Sequence, residues 1–288
     1  MFDTDALLDV VQLEQLDFGL FKGDNYKTPW KRVFGGQVLG QALNAAYQTV
    51  PEDRLAHSFH GYFILTGDIE KPIIYQVETL RDGGSFTTRR VTASQGGKAI
   101  FVMSASFQLV QEGFNHQIDM PEVIPPEDLL ADYKIAERLK DRTPEAVNII
   151  KYRHQSAIEF RPEDQFQFED ETPGAMSRNV WMKLSEEREL TIPLQHQLLA
   201  YASDYNLLVP AFFPYRTPEN SKNFFIASLD HAMWFHRGFD FNKWLLYQVN
   251  SPSASNSRGM GHGKIYNRDG ELVCTVMQEG LIRIKRNT

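Results

Sequence analysis

Most of this chain alternates apolar and polar residues with a period near two. Two long stretches instead repeat with the period of a helix. A first short helix is predicted over 4–11, where Leu7 pairs with Val10 and Leu8 with Val11. Leu16, Phe18 and Leu20 alternate with Asp17 and Gly19, which predicts an edge strand. In VLGQALNAAYQTV, Val38, Ala42, Ala45, Ala46 and Val50 share one helical face. Gly35 and Gly36 precede this helix and Pro51 marks its end. Its small residues (Gly40, Ala42, Ala45, Ala46) predict close packing against a sheet. Strands are predicted over 57–65, 73–80, 86–95 and 99–108, with turn signals at 81–84 and 96–98.

Residues 109–175 differ. Six of the chain's 14 prolines fall between Pro121 and Pro173, charges are dense and periodicity is weak. This stretch reads as a connector with one helix near 129–138, too long to be a simple loop, so part of it must pack on a domain. From Trp181 the earlier order returns. A strand is expected over 180–184, then a helix from Pro193 with Leu194, Leu198, Tyr201 and Tyr205 on one stripe. Strand-like segments follow at 224–235, 244–250, 255–266 and 272–284, with a turn at 267–270.

The two halves read as a repeat. Ile74-Tyr75-Gln76-Val77-Glu78 matches Leu246-Tyr247-Gln248-Val249-Asn250 at a shift of 172, and Tyr62-Phe63 matches Trp234-Phe235 at the same shift. A long helix followed by antiparallel strands, twice, is the α+β pattern of a double hot-dog: two antiparallel sheets, each wrapped around a long central helix. Two such sheets are expected to join edge to edge. The expected division is an N-terminal hot-dog over 1–112, a connector over 113–175 and a C-terminal hot-dog over 176–288.

Composition narrows the function. The 288 residues are 42% hydrophobic and 12% aromatic, enough for two cores or for a core and an acyl-binding channel. A net charge of -7 disfavours nucleic acid as a partner but leaves room for a small phosphorylated substrate at a local basic patch. Cys274 is alone, so no intrachain disulfide forms. No metal is expected, because His57 with His60 and His231 with His236 lack a third ligand. The opening MFDTDALLDVVQLEQL has no basic region before an apolar core, no segment is long and apolar enough to span a membrane, and Arg286-Asn287-Thr288 is no peroxisomal address. A cytoplasmic protein with no membrane partner is expected.

Three polar residues sit on apolar faces. Asp204 lies among Ala200, Tyr201, Leu207 and Leu208; Ser228 shares a strand face with Phe224 and Ile226; Gln278 follows Leu272, Cys274 and Val276. Each, taken singly, has an ordinary structural role open to it as a satisfied polar group. VFGGQVLGQAL (33–43), HSFHGYF (57–63), KPIIYQVETLRDGGSF (71–86), YASDYN (201–206), LDHAMWFHRGF (229–239), KWLLY (243–247) and MQEGLIR (277–283) together resemble the acyl-CoA thioesterase II family. The resemblance spans nearly the whole chain and is weakest in 109–175. It implies hydrolysis of fatty acyl-CoA to free fatty acid and CoA by a water held by an Asp, a Ser or Thr, and a Gln. These map to Asp204, Ser228 and Gln278, which would be the catalytic residues. It implies no cofactor, since CoA is part of the substrate, and a homo-oligomer, dimer or tetramer.

The chemistry agrees with that trio. A carboxylate takes the proton of an attacking water, and a hydroxyl and an amide orient it. Gly35-Gly36 is a candidate source of oxyanion donors, or a site of close packing. Arg81, Arg89, Arg90, Arg258 and Lys264 are candidates for the CoA phosphates. No Gly-x-Ser-x-Gly elbow is present. His57, His60 and His231 read as hydrogen-bonded core residues. Two alternatives remain: a hot-dog hydratase or dehydratase, which would want a paired His and Asp, and a non-catalytic acyl-CoA binder, which would leave the three polar intrusions unexplained. One active site per chain is expected, because Asn44 or Ala45 stands near where Asp204 falls in the repeat.

Overall fold

Among the described residues, the period-two segments are realised as thirteen strands of one antiparallel sheet. The structure is a computed structural model and describes residues 3–28, 31–139, 157–164, 174–217 and 223–284. The first half holds α1 (Thr4–Val11), β1 (Glu14–Asp17), β2 (Leu20–Gly23), α2 (Gly35–Tyr47), β3 (Leu55–Phe63), β4 (Ile73–Asp82), β5 (Phe86–Gln95) and β6 (Lys98–Gln108). The connector holds α3 (Asp132–Leu139) and β7 (Ile158–Pro162). Then come β8 (Ser177–Leu184), α4 (Ile192–Ser203), α5 (Val209–Phe212), β9 (Phe224–Ser228), β10 (Asp230–Phe235), β11 (Leu245–Ser255), β12 (Arg258–Tyr266) and β13 (Leu272–Ile284).

The strand order is β1-β2-β4-β5-β6-β3-β10-β13-β12-β11-β8-β7, with β9 beside β13. The order of the second half mirrors that of the first, and the two meet where β3 pairs with β10. His60 faces Ala232 in that pairing. These two are equivalents at the repeat shift of 172, so the pseudo-two-fold axis passes between them. This is the double hot-dog expected, with its sheets fused into one.

α2 and α4 lie on one face of this sheet and run antiparallel. Near one end of the pair, a Cβ on Gly36 would strike the Tyr201 carbonyl oxygen. Near the other, the Tyr47 hydroxyl meets His196 Nδ1 at 2.8 Å. A Cβ on Gly40 would stand 3.1 Å from the Gln197 carbonyl oxygen. The small residues at 36 and 40 therefore let the helices approach each other, a correction to the expectation of sheet packing for Gly40. One core runs through both halves, joining Leu39 and Phe59 to Leu198, Met233 and Val276. A smaller cluster of Leu129, Trp181, Leu246 and Tyr266 lies apart from it, with Met120 and Val123 of the connector packed against it.

Four boundaries differ from the sequence reading. The alternation through 16–20 is broken by a hairpin turn at Phe18-Gly19, where Gly19 takes φ +68°. The helix from Pro193 ends at Ser203, and Asn206 in the left-handed region turns the chain away. The segment 224–235 divides into β9 and β10 around Leu229. The connector contributes β7, a strand the sequence did not announce.

Candidate active site

α4 ends on Asp204, which is its C-cap. Because the helices are antiparallel, that end of α4 meets the start of α2. Phe34, the N-cap of α2, supplies no side-chain cap. Asp204 fills the role from the other half: the Gly36 amide donates to its Oδ2 at 2.9 Å. The positive end of the α2 dipole therefore faces the carboxylate. Gly35 leaves no spare room, since a Cβ there would lie 2.6 Å from Asp204 Oδ2.

The other carboxylate oxygen faces the sheet. Gln278 of β13 donates from Nε2 to Asp204 Oδ1 at 2.7 Å. A carboxylate only accepts, which fixes the orientation of that amide and turns Gln278 Oε1 away. Oε1 is buried and has no hydrogen-bond partner among the described residues. Ser228, the last residue of β9, holds its hydroxyl 3.5 Å from the same Oδ1, the outer limit of a hydrogen bond. The three residues that the sequence singled out thus converge on one carboxylate. Burial pushes the Asp204 carboxyl above its ordinary range; the bonds from Gln278, Gly36 and Ser228 draw it part of the way back.

Asp204 and Ser228 line a cavity of about 370 Å³. Most of its wall comes from the first half, including Val33, Phe34, Val38, Phe63, Ile100 and Phe101. The cavity sits beside β9. That strand and β10 run along the same side of β13, and among the described residues β9 pairs with β13 alone. β3 leaves their company at Phe63, whose amide donates to the Leu229 carbonyl at 2.9 Å. Phe34 is held against Tyr201 and Tyr205, with ring centres 5.2 and 4.5 Å away.

The mirror-related corner lacks the chemistry. Gln48 is the C-cap of α2, the counterpart of Asp204. By sheet register, Ala56 and Ala105 correspond to Ser228 and Gln278. Gln48, rather than Asn44 or Ala45, is thus the counterpart of the acid, and the corner has neither carboxylate nor hydroxyl at these positions.

Most of the other candidates have structural partners. His57 Nε2 meets Ser106 Oγ at 2.8 Å, and His231 Nε2 meets Ser203 Oγ at 3.0 Å. His60 packs edge-on against Trp234. Arg89 is buried on Asp82 at 2.8 Å, Arg90 meets Glu78 at 3.3 Å and Arg258 meets Glu279 at 2.8 Å. The Gly36 amide, offered by the sequence as an oxyanion donor, is engaged by Asp204. The aromatic wall at Phe34 and Phe63 was not singled out by the sequence; its only signal was the proximity of Phe34 to the glycine pair. Among the described residues, no group of three or more His, Cys, Asp or Glu could hold a metal ion, and no helix is long and apolar enough to cross a membrane.

Comparison with known proteins adds a second line of argument. A family model described as acyl-CoA thioesterase matches residues 152–281, and one described as acyl-CoA thioesterase N-terminal domain matches 26–108. Acyl-CoA thioesterase 2 of Haemophilus influenzae is 39% identical over 277 residues, covering 96% of each chain. Acyl-coenzyme A thioesterase 8 of Homo sapiens is 41% identical over 284 residues, covering 96% of this chain and 88% of that one. The crystal structure of an acyl-CoA thioesterase II from Mycobacterium marinum superposes with a TM-score of 0.80 at 38% identity, over 98% of this chain and 100% of that one.

Proposed function

The chain belongs to the acyl-CoA thioesterase family and is an acyl-CoA thioester hydrolase, and we propose that it releases fatty acid and CoA through a water that Asp204 deprotonates. The observation that carries this reading is the buried carboxylate at an apolar cavity, ringed by an amide, a hydroxyl and a helix N-terminus. A raised pKa brings a carboxylate closer to the operating pH, where general-base catalysis is most efficient. Ser228 offers the water a hydroxyl, and the unpartnered Gln278 Oε1 offers it an acceptor. The water oxygen bonds to the thioester carbon as its proton passes to Asp204. The carbon–sulfur bond then breaks, and the CoA thiolate takes the proton back. The acyl chain lies along the apolar wall of Val38, Phe63 and Ile100. No cofactor enters these steps.

Asp204→Asn tests this. Release of CoA thiol from a fatty acyl-CoA should fall by at least about a hundredfold, within the span that general-base catalysis typically contributes. The melting temperature should not drop. Turnover like that of the parent chain in this variant would exclude Asp204 as the base.

We further read the chain as a cytoplasmic homo-oligomer, dimer or tetramer. The sheet face at the pseudo-two-fold axis presents the exposed Tyr62 and the His60–Trp234 pair, an aromatic patch of the kind that self-association covers. A monomeric mass by light scattering at micromolar concentration would reject the oligomer.

A further inference from the structure

We propose that a phosphate-binding rim stands at the cavity mouth, formed by Arg32 and Arg283 flanking the Phe225 ring with Lys31 beside them. It would hold the phosphates of the CoA half of the substrate, and so rests on the reading of this cavity as an acyl-CoA site. Arg32 lines the cavity and is exposed. Its guanidinium carbon stands 6.0 Å from the centre of the Phe225 ring. Phe225 lies three residues before Ser228 on β9, so it faces the opposite side of the sheet from the catalytic hydroxyl. Arg283 of β13 is directly opposite Phe225 in the strand pairing. Directly opposed residues share a face, with Cβ atoms about 5 Å apart. Arg32, from the residues before α2, thus stands over this ring, and Arg283 of the last strand starts beside it on the same face.

The described residues Thr28, Lys31 and Arg32 are tied to one another by hydrogen bonds. Thr28 is buried, its hydroxyl donates to the Arg32 carbonyl at 2.6 Å, and the Lys31 amide donates to the Thr28 carbonyl at 3.2 Å. Lys31 takes φ +54°, a conformation that L residues with side chains seldom adopt. Among the described residues, none of the three cations pairs with a carboxylate. Elsewhere in this chain of net charge -7, Arg89, Arg90, Arg161, Arg178, Arg188 and Arg258 are each neutralised by one. Positive charge left unpaired at the mouth of a cavity raises the local concentration of an anionic substrate. Guanidinium groups suit phosphate by their planar fork of donors.

The test compares CoA with its phosphate-free half. Binding of CoA would be followed by calorimetry, and hydrolysis of decanoyl-CoA and decanoyl-pantetheine by thiol release. In the double variant Arg32→Ala/Arg283→Ala, CoA affinity should fall at least about tenfold, the scale of one lost hydrogen bond to a charged group. The ratio of kcat/KM for decanoyl-CoA to that for decanoyl-pantetheine should fall by a similar factor, through KM. The loss of CoA affinity with added salt should also flatten. An unchanged CoA affinity, or an equal loss on both substrates, would overturn the rim. Were the parent chain to bind CoA through these cations yet release no thiol, the hydrolytic reading would fail and the rim would stand.

Discussion

Asp204 is held between a cost and several compensations, and its titration should report both. Burial favours the protonated form, while the donors around it favour the carboxylate. In the proposed mechanism the carboxylate is the active form, so kcat/KM should fall as pH drops through a midpoint above the ordinary 3.8. Gln278→Leu removes a donor that lowers this pKa. A hydrogen bond to a charged group is worth roughly 1.5–3 kcal/mol, so the acid limb should move up by about one to two pH units. A limb that stays in place would mean that Gln278 does not bear on the base. For stability the sign is reversed. The folded-state pKa lies above the unfolded one, so this group's contribution is full at low pH and is lost as pH rises through the folded value. Asp204→Asn should accordingly be as stable as the parent at neutral pH. The trio was readable because each member interrupts an apolar period. The cations at Arg32 and Arg283 were not, since 251 positions separate them and nothing in their neighbours distinguishes them from Arg89 or Arg258.

Among the elements, the α2–α4 pair is what brings Asp204 to the Gly36 amide, and Gly36 is its tightest point. Gly36→Ala would drive a methyl into the Tyr201 carbonyl and part the helices. Overpacking of this kind typically costs about 1–3 kcal/mol. It should also draw the Gly36 amide off Asp204, so activity should drop with stability. Gly84→Ala, which meets nothing within 4 Å, is the control and should change neither. Denaturant unfolding and thiol release read both effects, and equal stability of the two variants would contradict the close crossing. The elements themselves were largely legible. β5 and β6 follow their alternation closely, and the turn between them is marked by glycines at φ +55° and +76°. The misses share a cause: hydrophobicity continues where the backbone turns. Apolar residues run on to Leu208 although Asn206 bends the chain, and they run through Leu229 between two strands. β7 is five residues among prolines and charges, and its partner β8 rather than its own pattern makes it a strand.

Across the whole molecule, two buried histidines tie the halves together. His196 of α4 meets Tyr47 of α2, and His231 of β10 stacks on Phe59 of β3 with ring centres 6.0 Å apart. Burial lowers each pKa from 6.5 to about 3. The fold therefore prefers them neutral. The stability this supplies is complete above pH 6.5 and drains away as pH falls toward 3. Between pH 8 and pH 5 the pair should cost about 4 kcal/mol of folding free energy, following the linkage between proton binding and stability. Denaturant unfolding at the two pH values measures it, and equal stability would count against neutral burial. The edge-to-edge joining of the halves was foreseen from the repeat, but the register that sets His60 against Ala232 needed the coordinates.

That joining leaves the two ends of the helix pair unequal: acid, hydroxyl and amide at one, Gln48, Ala56 and Ala105 at the other. The chamber beside the acid is walled chiefly by residues of the opposite repeat. On the proposed mechanism, preference for one acyl group over another and speed of bond cleavage are thereby lodged in different stretches of sequence. Substitution at Val38 or Ile100 can reshape what fits without touching what reacts, a freedom that two identical repeats sharing both tasks would not have.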